Sequence, residues 1–334
     1  MTPHAIVAVD AKKVEYREIE IGPMKPWDVK VELEASAVSV GTESYIISTM
    51  NKDRPGVIPG YAPIGRIVEA SKEAAAAGWE IGQRISYFAP QAAIGLGQGC
   101  GGHQGTALVN VDPASRDLLG SDCYVVKVPE NLTSQRAAFG GISSVSCQGV
   151  SLSHPAVNEK VLVIGAGMIG QFAAFHYRLR GCEVAIADVH QVRLDCAKKA
   201  GIDHAINVTG IDMAKAVREI FPGGVDIVAD STGNYAAIEN SVGALRWRGR
   251  YVFLAWCKGA NFNLPCFHNR VHEAFFPWTL EGRRVEATWR LMASGAMNID
   301  PLITHRFKVA DAPKAYEMIY AHPEQYTGIA IDWT

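Results

Sequence analysis

One junction constrains this chain more than any other stretch: Lys160-Val161-Leu162-Val163-Ile164 runs directly into Gly165-Ala166-Gly167-Met168-Ile169-Gly170. A short apolar run closed by glycine reads as a strand buried on both faces. The stretch Met168 to Leu179 that follows reads as a helix. Each glycine then has its own task. The first permits a tight turn, the second lets a ligand approach bare backbone, and the third lets helix and strand pack closely. A helix opening on such a turn offers unpaired N–H groups and the positive end of its dipole, which together attract phosphate. Asp188 ends the next apolar stretch, where a carboxylate accepts both ribose hydroxyls of an adenosine and repels a 2′-phosphate. The pattern is that of a dinucleotide site selecting NAD, with NADP left open because Arg193 follows closely. The cofactor-binding residues so assigned are Gly165, Gly167, Met168, Ile169, Gly170, Asp188, Val189, Arg193, Ser231 and Ala255.

The rest of the chain falls around this junction. Strand-like and helix-like stretches alternate from Lys160 to Ala255: Glu183–Ala187, Ala205–Val208, Val225–Ala229 and Gly249–Ala255 as strands, with helices between. Such alternation implies βαβ units and a parallel sheet. Upstream, Ala5–Val9, Lys13–Ile19, Asp28–Ala37, Ile64–Ala70 and Arg84–Phe88 are short β-type runs, and Gly95 to Gly102 reads as a mobile loop. Beyond Ala255 the chain is irregular and aromatic (Trp256, Phe262, Phe267, Phe275, Phe276, Trp278) before a helix at Val285–Ser294. The last residues read as strand Ile303–Lys308, helix Ala312–Tyr320 and strand Gly328–Trp333, a mixed tail expected to rejoin the first unit.

Composition removes several classes. With 334 residues, 48% hydrophobic and 20% charged, the chain can bury ordinary cores without staples. A formal charge of -2 and the lack of a Lys/Arg cluster argue against a nucleic-acid partner. No stretch reaches the roughly 18 apolar residues of a membrane span, and the start lacks a signal-peptide pattern, so a cytoplasmic protein is expected. The seven cysteines (Cys100, Cys123, Cys147, Cys182, Cys196, Cys257, Cys266) are scattered without a CxxC pair and read as reduced thiols.

Several segments together resemble the medium-chain dehydrogenase/reductase superfamily. They are Pro59-Gly60-Tyr61, Gly65-Arg66-Ile67-Val68-Glu69, Gly82-Gln83-Arg84-Ile85, Tyr124 to Pro129, the nucleotide turn, and Leu302 to Phe307. The resemblance spans nearly the whole chain. It implies an α/β fold, a Rossmann doubly wound parallel sheet plus a β-rich GroES-like catalytic domain. The expected division is a catalytic domain at 1–145, a nucleotide-binding domain at 146–285 and a returning C-terminal segment at 286–334. Homo-oligomers, dimers or tetramers, are common in this family, and the aromatic stretch 262–278 is the expected interface.

The chain departs from the family at the metal. A catalytic zinc needs three Cys, His or carboxylate ligands and an open fourth position. Here the first-ligand position falls on Ser39 or Val40, Tyr61-Ala62 replaces a His-Glu pair, and Phe139 to Ser144 offers neither thiolate nor imidazole. Of the four cysteines of the family's structural zinc lobe only Cys100 is in place, so no zinc of either kind is expected. Gly41-Thr42-Glu43 and the ending Ile331-Asp332-Trp333 resemble a zinc-poor branch similar to bacteriochlorophyllide dehydrogenase and to sugar or cyclitol dehydrogenases.

Without a metal, side chains must handle the proton of an alcohol or polarise a carbonyl. The resemblance puts Ser39, Thr42, Glu43 and Tyr61 near the reacting centre, and His103 is expected beside the substrate mouth. The catalytic residues so assigned are Tyr61, Glu43, Ser39 and His103, with His268, Asn269, Arg270 and His272 as further polar groups. The alternative for Tyr61 is filling of a vacated metal cavity, and for Glu43 a structural role. Trp256 and Trp278 wall a pocket or belong to core or interface. The leading function is hydride transfer between NAD(H) and a secondary alcohol or ketone on a sugar, polyol or cyclitol. The alternatives are quinone or enoyl reduction, oxidation of a hydroxyethyl-tetrapyrrole, and nucleotide binding without catalysis.

Overall fold

The computed structural model describes residues 2–50, 56–97, 99–118, 124–256, 265–268, 270–278 and 280–334. Cys123, Cys257, Phe262 and Asn269 lie outside the described residues. The first part contains strands β1 (His4–Asp10), β2 (Lys13–Glu18), β3 (Asp28–Ala37), β4 (Pro63–Ala70), β5 (Arg84–Tyr87), β6 (Thr106–Asn110) and β7 (Val125–Lys127). Helices α1 (Val40–Ser48), α2 (Lys72–Ala76) and α3 (Pro113–Leu118) interrupt them. Next come α4 (Ser134–Leu152), β8 (Lys160–Ile164), α5 (Met168–Arg178), β9 (Glu183–Asp188), α6 (Gln191–Lys199) and β10 (His204–Asn207). The alternation continues through α7 (Met213–Ile220), β11 (Val225–Asp230), α8 (Tyr235–Val242), β12 (Leu245–Phe253), α9 (Pro265–His268) and β13 (Val271–Phe275). The chain closes with α10 (Gly282–Ala293), β14 (Ile303–Lys308), α11 (Ala312–Ala321) and β15 (Gly328–Asp332).

Six strands form one parallel sheet in the order β10-β9-β8-β11-β12-β13. This is the doubly wound Rossmann order, with the first strand, β8, in the middle. The unbroken apolar run of β8 has a direct cause in the two-residue period of a strand. Val161 and Val163 enter the core under α5 with Ala173 and Ala174. Leu162 and Ile164 enter the core on the other face with Met213 and Val217. A chain that crosses from β8 to β9 on one side and to β11 on the other leaves a crevice at the carboxyl ends of β8 and β11, where such sheets bind ligands.

The second sheet is built around β3, which pairs antiparallel with β4, β6 and β15. The tail returns to it: Ala330 lies opposite Ala37, and β14 runs parallel outside β15. Two helices, α1 and α4, and the strand β13 lie where sequence patterning expects no regular element. The α4 segment is rich in Gly and Ser, poor helix formers that nonetheless serve packing. A Cβ on Gly140 would lie 2.4 Å from Trp289 Nε1, so only glycine admits this fully buried indole from α10. Trp289 Nε1–H donates to Ala137 O at 2.8 Å and fastens α10 to α4. The helix runs across residue 145, so the change of character from β-rich to βαβ falls inside a helix rather than in a linker.

A buried polar contact joins α4, α5 and α10. His176 Nε2 pairs with Ser143 Oγ at 3.0 Å, and Thr288 Oγ1 donates to the same Ser143 oxygen at 3.1 Å. Burial, with the charge of Arg180 nearby, pushes the His176 imidazole from its ordinary 6.5 down to about 3. The unfolded chain therefore takes up this proton as pH falls through 6.5, while the native protein does not until near 3. Stability from this group is complete above pH 6.5 and is lost as pH falls through that window. In His176→Gln, urea unfolding at stepped pH should show a shallower acid dependence, by up to about 1.4 kcal/mol per pH unit. An unchanged slope contradicts the assignment.

Candidate active site

The nucleotide turn has the geometry that three glycines allow. Gly165 has φ +87°, and a Cβ there would meet Ser231 Oγ at 2.6 Å. A Cβ on Gly170 would sit 1.8 Å from Gly165 O, so the helix can cross its strand only at glycine. Gly167 opens α5 without any side-chain cap, and a Cβ there would meet nothing within 4 Å. The first amides of α5 thus face open space. Ser231 Oγ donates to Ile164 O (2.9 Å) and Gly165 O (3.1 Å) and ties the turn to the end of β11. Asp230, fully buried, accepts from Thr232 N–H, Thr232 Oγ1 and Gly233 N–H, and so shapes the neighbouring loop. Burial raises its carboxyl above the usual range. The Asp-Ser-Thr-Gly string carries an Asx-turn signature from which this loop was legible in the sequence.

A cleft of about 1320 Å³ runs along this turn between the two sheets. Gly165, Gly167, Met168, Ile169, Asp188, Val189, Arg193, Ser231 and Ala255 all line it. Gly170 does not, and acts through packing. Thr232, Asn234, Tyr326 and Thr327 also line it, and no sequence pattern singled them out. Asp188 accepts from Ala166 N–H (2.7 Å) and His190 N–H (2.8 Å), which fixes its carboxylate at the tip of β9. Each carboxylate oxygen has a second acceptor site, enough for ribose hydroxyls. Arg193 lies beside this carboxylate, with Nη1 3.7 Å from Asp188 Oδ2, while its guanidinium donates to Tyr326 O (3.2 Å) and Pro323 O (2.8 Å) and stacks 5.4 Å from the Tyr326 ring centre. Uncapped amides, a glycine lip and a carboxylate beyond it are a donor set that fits a nicotinamide dinucleotide.

Across the cleft, α1 begins at Ser39 with an inverted capping arrangement. Glu43, one turn in, reaches back so that Ser39 N–H donates to Glu43 Oε1 at 2.6 Å. The Ser39 hydroxyl makes no cap and instead donates to Tyr61 Oη at 2.8 Å. Ser39, Thr42 and Tyr61 line the cleft. Burial, and the negative charge of Glu43 behind it, hold the Tyr61 phenol well above its ordinary range, against the lowering bond from Ser39.

Glu43 and His103 are not on the cleft wall. Both are fully buried behind it, with His103 Nε2 3.0 Å from Glu43 Oε2 and Nδ1 2.8 Å from Ser36 Oγ. Tyr316 of α11 donates to Glu43 Oε2, and Trp333 Nε1–H donates to Ser36 Oγ at 2.9 Å. His103 therefore stands inside the molecule rather than at a substrate mouth. The glycine-rich loop before it is pinned: Gly101 N–H donates to Ile58 O, Gly102 N–H to Gly60 O and His103 N–H to Pro59 O. Gly60 has φ +85°, and a Cβ there would lie 2.6 Å from the His103 ring. His268 and His272 are exposed on α9 and β13, away from the cleft. Trp256 lines the cleft at the end of β12, and Trp278 packs on it.

The metal-ligand positions read from the sequence carry no ligand set. Val40 and Tyr61 line the cleft, Ala62 is buried beside them, and Phe139 to Ser144 lie inside α4, where Ser144 Oγ bonds its own helix at Gly141 O. Among the described residues no group of three or more His, Cys, Asp or Glu side chains could hold a metal ion. These side chains do not fit a zinc site of the kind three soft or anionic donors make.

Fold and cleft together are those of a two-unit dehydrogenase-type protein, with a cleft between a Rossmann sheet and a β-rich sheet whose lining fits a nicotinamide dinucleotide. A family model described as zinc-binding dehydrogenase matches residues 168–293. L-threonine 3-dehydrogenase of Pyrococcus furiosus is 27% identical, over 95% of this chain and 96% of its own. Among solved structures, an Escherichia coli alcohol dehydrogenase complexed with NADH superposes at TM-score 0.80 and 18% identity, covering all of both chains. A zinc-binding dehydrogenase structure from Sinorhizobium meliloti bound to NADP does so at TM-score 0.81 and 20% identity, again over all of both chains. These matches are in line with the resemblance to the medium-chain dehydrogenase/reductase superfamily that the sequence carries.

Removing the Glu43 carboxylate strands three groups at once: Ser39 N–H, Tyr316 Oη–H and His103. Glu43→Ala should cost about 3–5 kcal/mol in urea unfolding, as for other broken buried pairs, and Glu43→Gln less. A loss under about 1 kcal/mol for Glu43→Ala contradicts this closure.

Proposed function

We propose that this protein transfers hydride between NAD(H) and a secondary alcohol or ketone without zinc, using Tyr61 as the proton-handling group. The observation that carries the reading is the Ser39–Tyr61 hydroxyl pair on the cleft wall facing the nucleotide turn. When bound, the nicotinamide supplies or accepts the hydride at the substrate carbon. Tyr61 accepts its hydrogen bond from Ser39 and so keeps its own proton for a substrate oxygen. Its raised pKa keeps that proton in place at ordinary pH. In ketone reduction Tyr61 gives the proton to the carbonyl oxygen, and Ser39 stabilises the phenolate left behind. In alcohol oxidation the phenolate must take a proton, and it is scarce until the solution is alkaline. Glu43 and His103 are positioning residues in this scheme, holding Ser39 and the Tyr61 turn from behind.

NAD is favoured over NADP because Asp188 ends β9 on the cleft wall and Arg193 is engaged by two carbonyls and by Asp188 itself. The expected sugar, polyol or cyclitol substrate drew on Glu43 and His103 as polar groups facing substrate. With both behind the wall, Ser39, Thr42 and Tyr61 remain as its hydroxyl donors. Metal-free catalysis rests on the side chains at Val40, Tyr61 and Ala62. A homo-oligomer, dimer or tetramer, is proposed through the stretch 262–278; in support, β13 within it pairs only with β12 among the described residues and exposes His272, Glu273 and Ala274. No helix among the described residues is long and apolar enough to cross a membrane, in keeping with the proposed cytoplasmic location.

The test is turnover of purified protein with NAD and NADP across secondary alcohols and their ketones, with elemental analysis of the same sample. Expected are a higher kcat/KM with NAD, no stoichiometric zinc, and a Tyr61→Phe kcat lower by about 10²-fold. Alcohol oxidation should speed up with pH beyond about pH 9, while ketone reduction stays level from about pH 6 to 9. Wild-type turnover by Tyr61→Phe, or one zinc per chain, refutes the assignment.

A further inference from the structure

The end of the cleft beyond the nucleotide turn is built differently from the rest. Asp188 ends β9, and Leu254-Ala255-Trp256 follows β12, three strands away across β8 and β11. At the usual strand spacing these lie about 14 Å apart. The ribose-binding carboxylate is thus at one end and Trp256 at the other, beside Ser39 and Tyr61.

Around the Ser39, Thr42 and Tyr61 hydroxyls stand apolar and aromatic side chains. Val40, Ile142, Val145 and Leu254 line the cleft there. Tyr45, from α1 on the β-rich side, meets Trp256, from the Rossmann side, with ring centres 5.2 Å apart and planes at 56°. Trp278 stands edge-on to Trp256 at 5.3 Å and 87°. Both indoles are exposed, 59% and 65%, although each belongs to a ring cluster at the mouth of the cleft. Exposed indoles that are held in place by other rings, and continuous with a cavity, cost solvation in the free protein that a flat apolar ligand relieves. The carboxylate and imidazole that would recognise a many-hydroxyl ligand are sealed behind the wall.

We propose that the substrate carries its secondary alcohol or ketone on a flat, apolar body, of aryl carbinol or aryl ketone type, and that Trp256 is the residue that selects it. The carbinol oxygen meets Tyr61 and Ser39, and the flat body lies against the Trp256 face at the cleft mouth. Trp278 and Tyr45 position that indole from either side. The inference rests on the proposed dehydrogenase reading for its reaction but not for its binding step.

Two measurements separate the two readings. In the first, calorimetry follows 2-acetylnaphthalene binding to protein loaded with NADH, with no turnover needed at equilibrium. Wild type should bind it, Trp256→Ala should bind about 3- to 10-fold more weakly, and Trp256→Phe should retain most of the affinity. In the second, kcat/KM with NAD is compared for 1-(2-naphthyl)ethanol and 2,3-butanediol. Wild type should prefer the naphthyl substrate, and Trp256→Ala should lose that preference, through a rise in KM for the naphthyl substrate. No binding of the ketone, equal loss on both substrates, or a wild-type preference for the diol overturns the proposal. Ketone binding with no turnover of any alcohol supports the aromatic site and overturns the dehydrogenase reading instead.

Discussion

A carboxylate with no access to water holds the β-rich wall of the cleft together. Glu43 gathers the Ser39 amide, the Tyr316 hydroxyl and the His103 imidazole, three groups from three distant segments. An ion in such surroundings is tolerable only when its lone pairs are filled, so each segment is obliged to arrive. The result is that the Ser39 side chain is released from helix capping and turned toward Tyr61. A hydroxyl pair on the cleft wall is therefore the visible end of an interaction made one layer deeper.

The opposite wall follows a different logic. Nothing there is held by charge; the phosphate-binding corner exists because side chains are missing. Gly165 and Gly170 let two backbones touch, and Gly167 leaves the helix end bare. Ser231 and Asp230 brace the corner through carbonyls and amides, so its shape does not depend on a ligand. One wall is thus preorganised by subtraction and the other by a filled polar core, and the cleft sits where the two meet.

These two origins explain what was legible in the sequence. Backbone-determined features could be read directly. The strand run before Gly165, the glycine spacing and Asp188 all act through local geometry, and the structure places them around one groove. The α1 and α4 helices were hidden because Gly and Ser, with Thr42 in α1, make up four of nine residues in one and eight of nineteen in the other, and their helical state comes from packing, as at Gly140 under Trp289. β13 was hidden because its outer residues are polar and only its neighbour β12 makes it a strand. The depth of Glu43 and His103 was likewise invisible. Their residue types suit catalysis and burial equally, and the deciding partners, Tyr316 and Trp333, come from the far end of the chain. That Tyr61 and Ala62 stand where the resemblance puts a His-Glu pair was legible, whereas the direction in which Tyr61 is hydrogen-bonded was not.

The return of the tail has a consequence for biosynthesis. β15 completes the sheet begun by β3, and Tyr316 and Trp333 supply contacts that Glu43 and Ser36 need. While the ribosome is still producing the Rossmann strands, the emerged N-terminal sheet lacks β15, and the Ala35–Ala37 end of β3 is unpaired on the edge whose other end β6 covers. Synthesis order and assembly order therefore differ: the unit translated first is the one finished last, after the nucleotide-binding half has had time to form. A nascent chain of this design carries a short open strand end through the synthesis of its Rossmann strands and depends on β15 to close it.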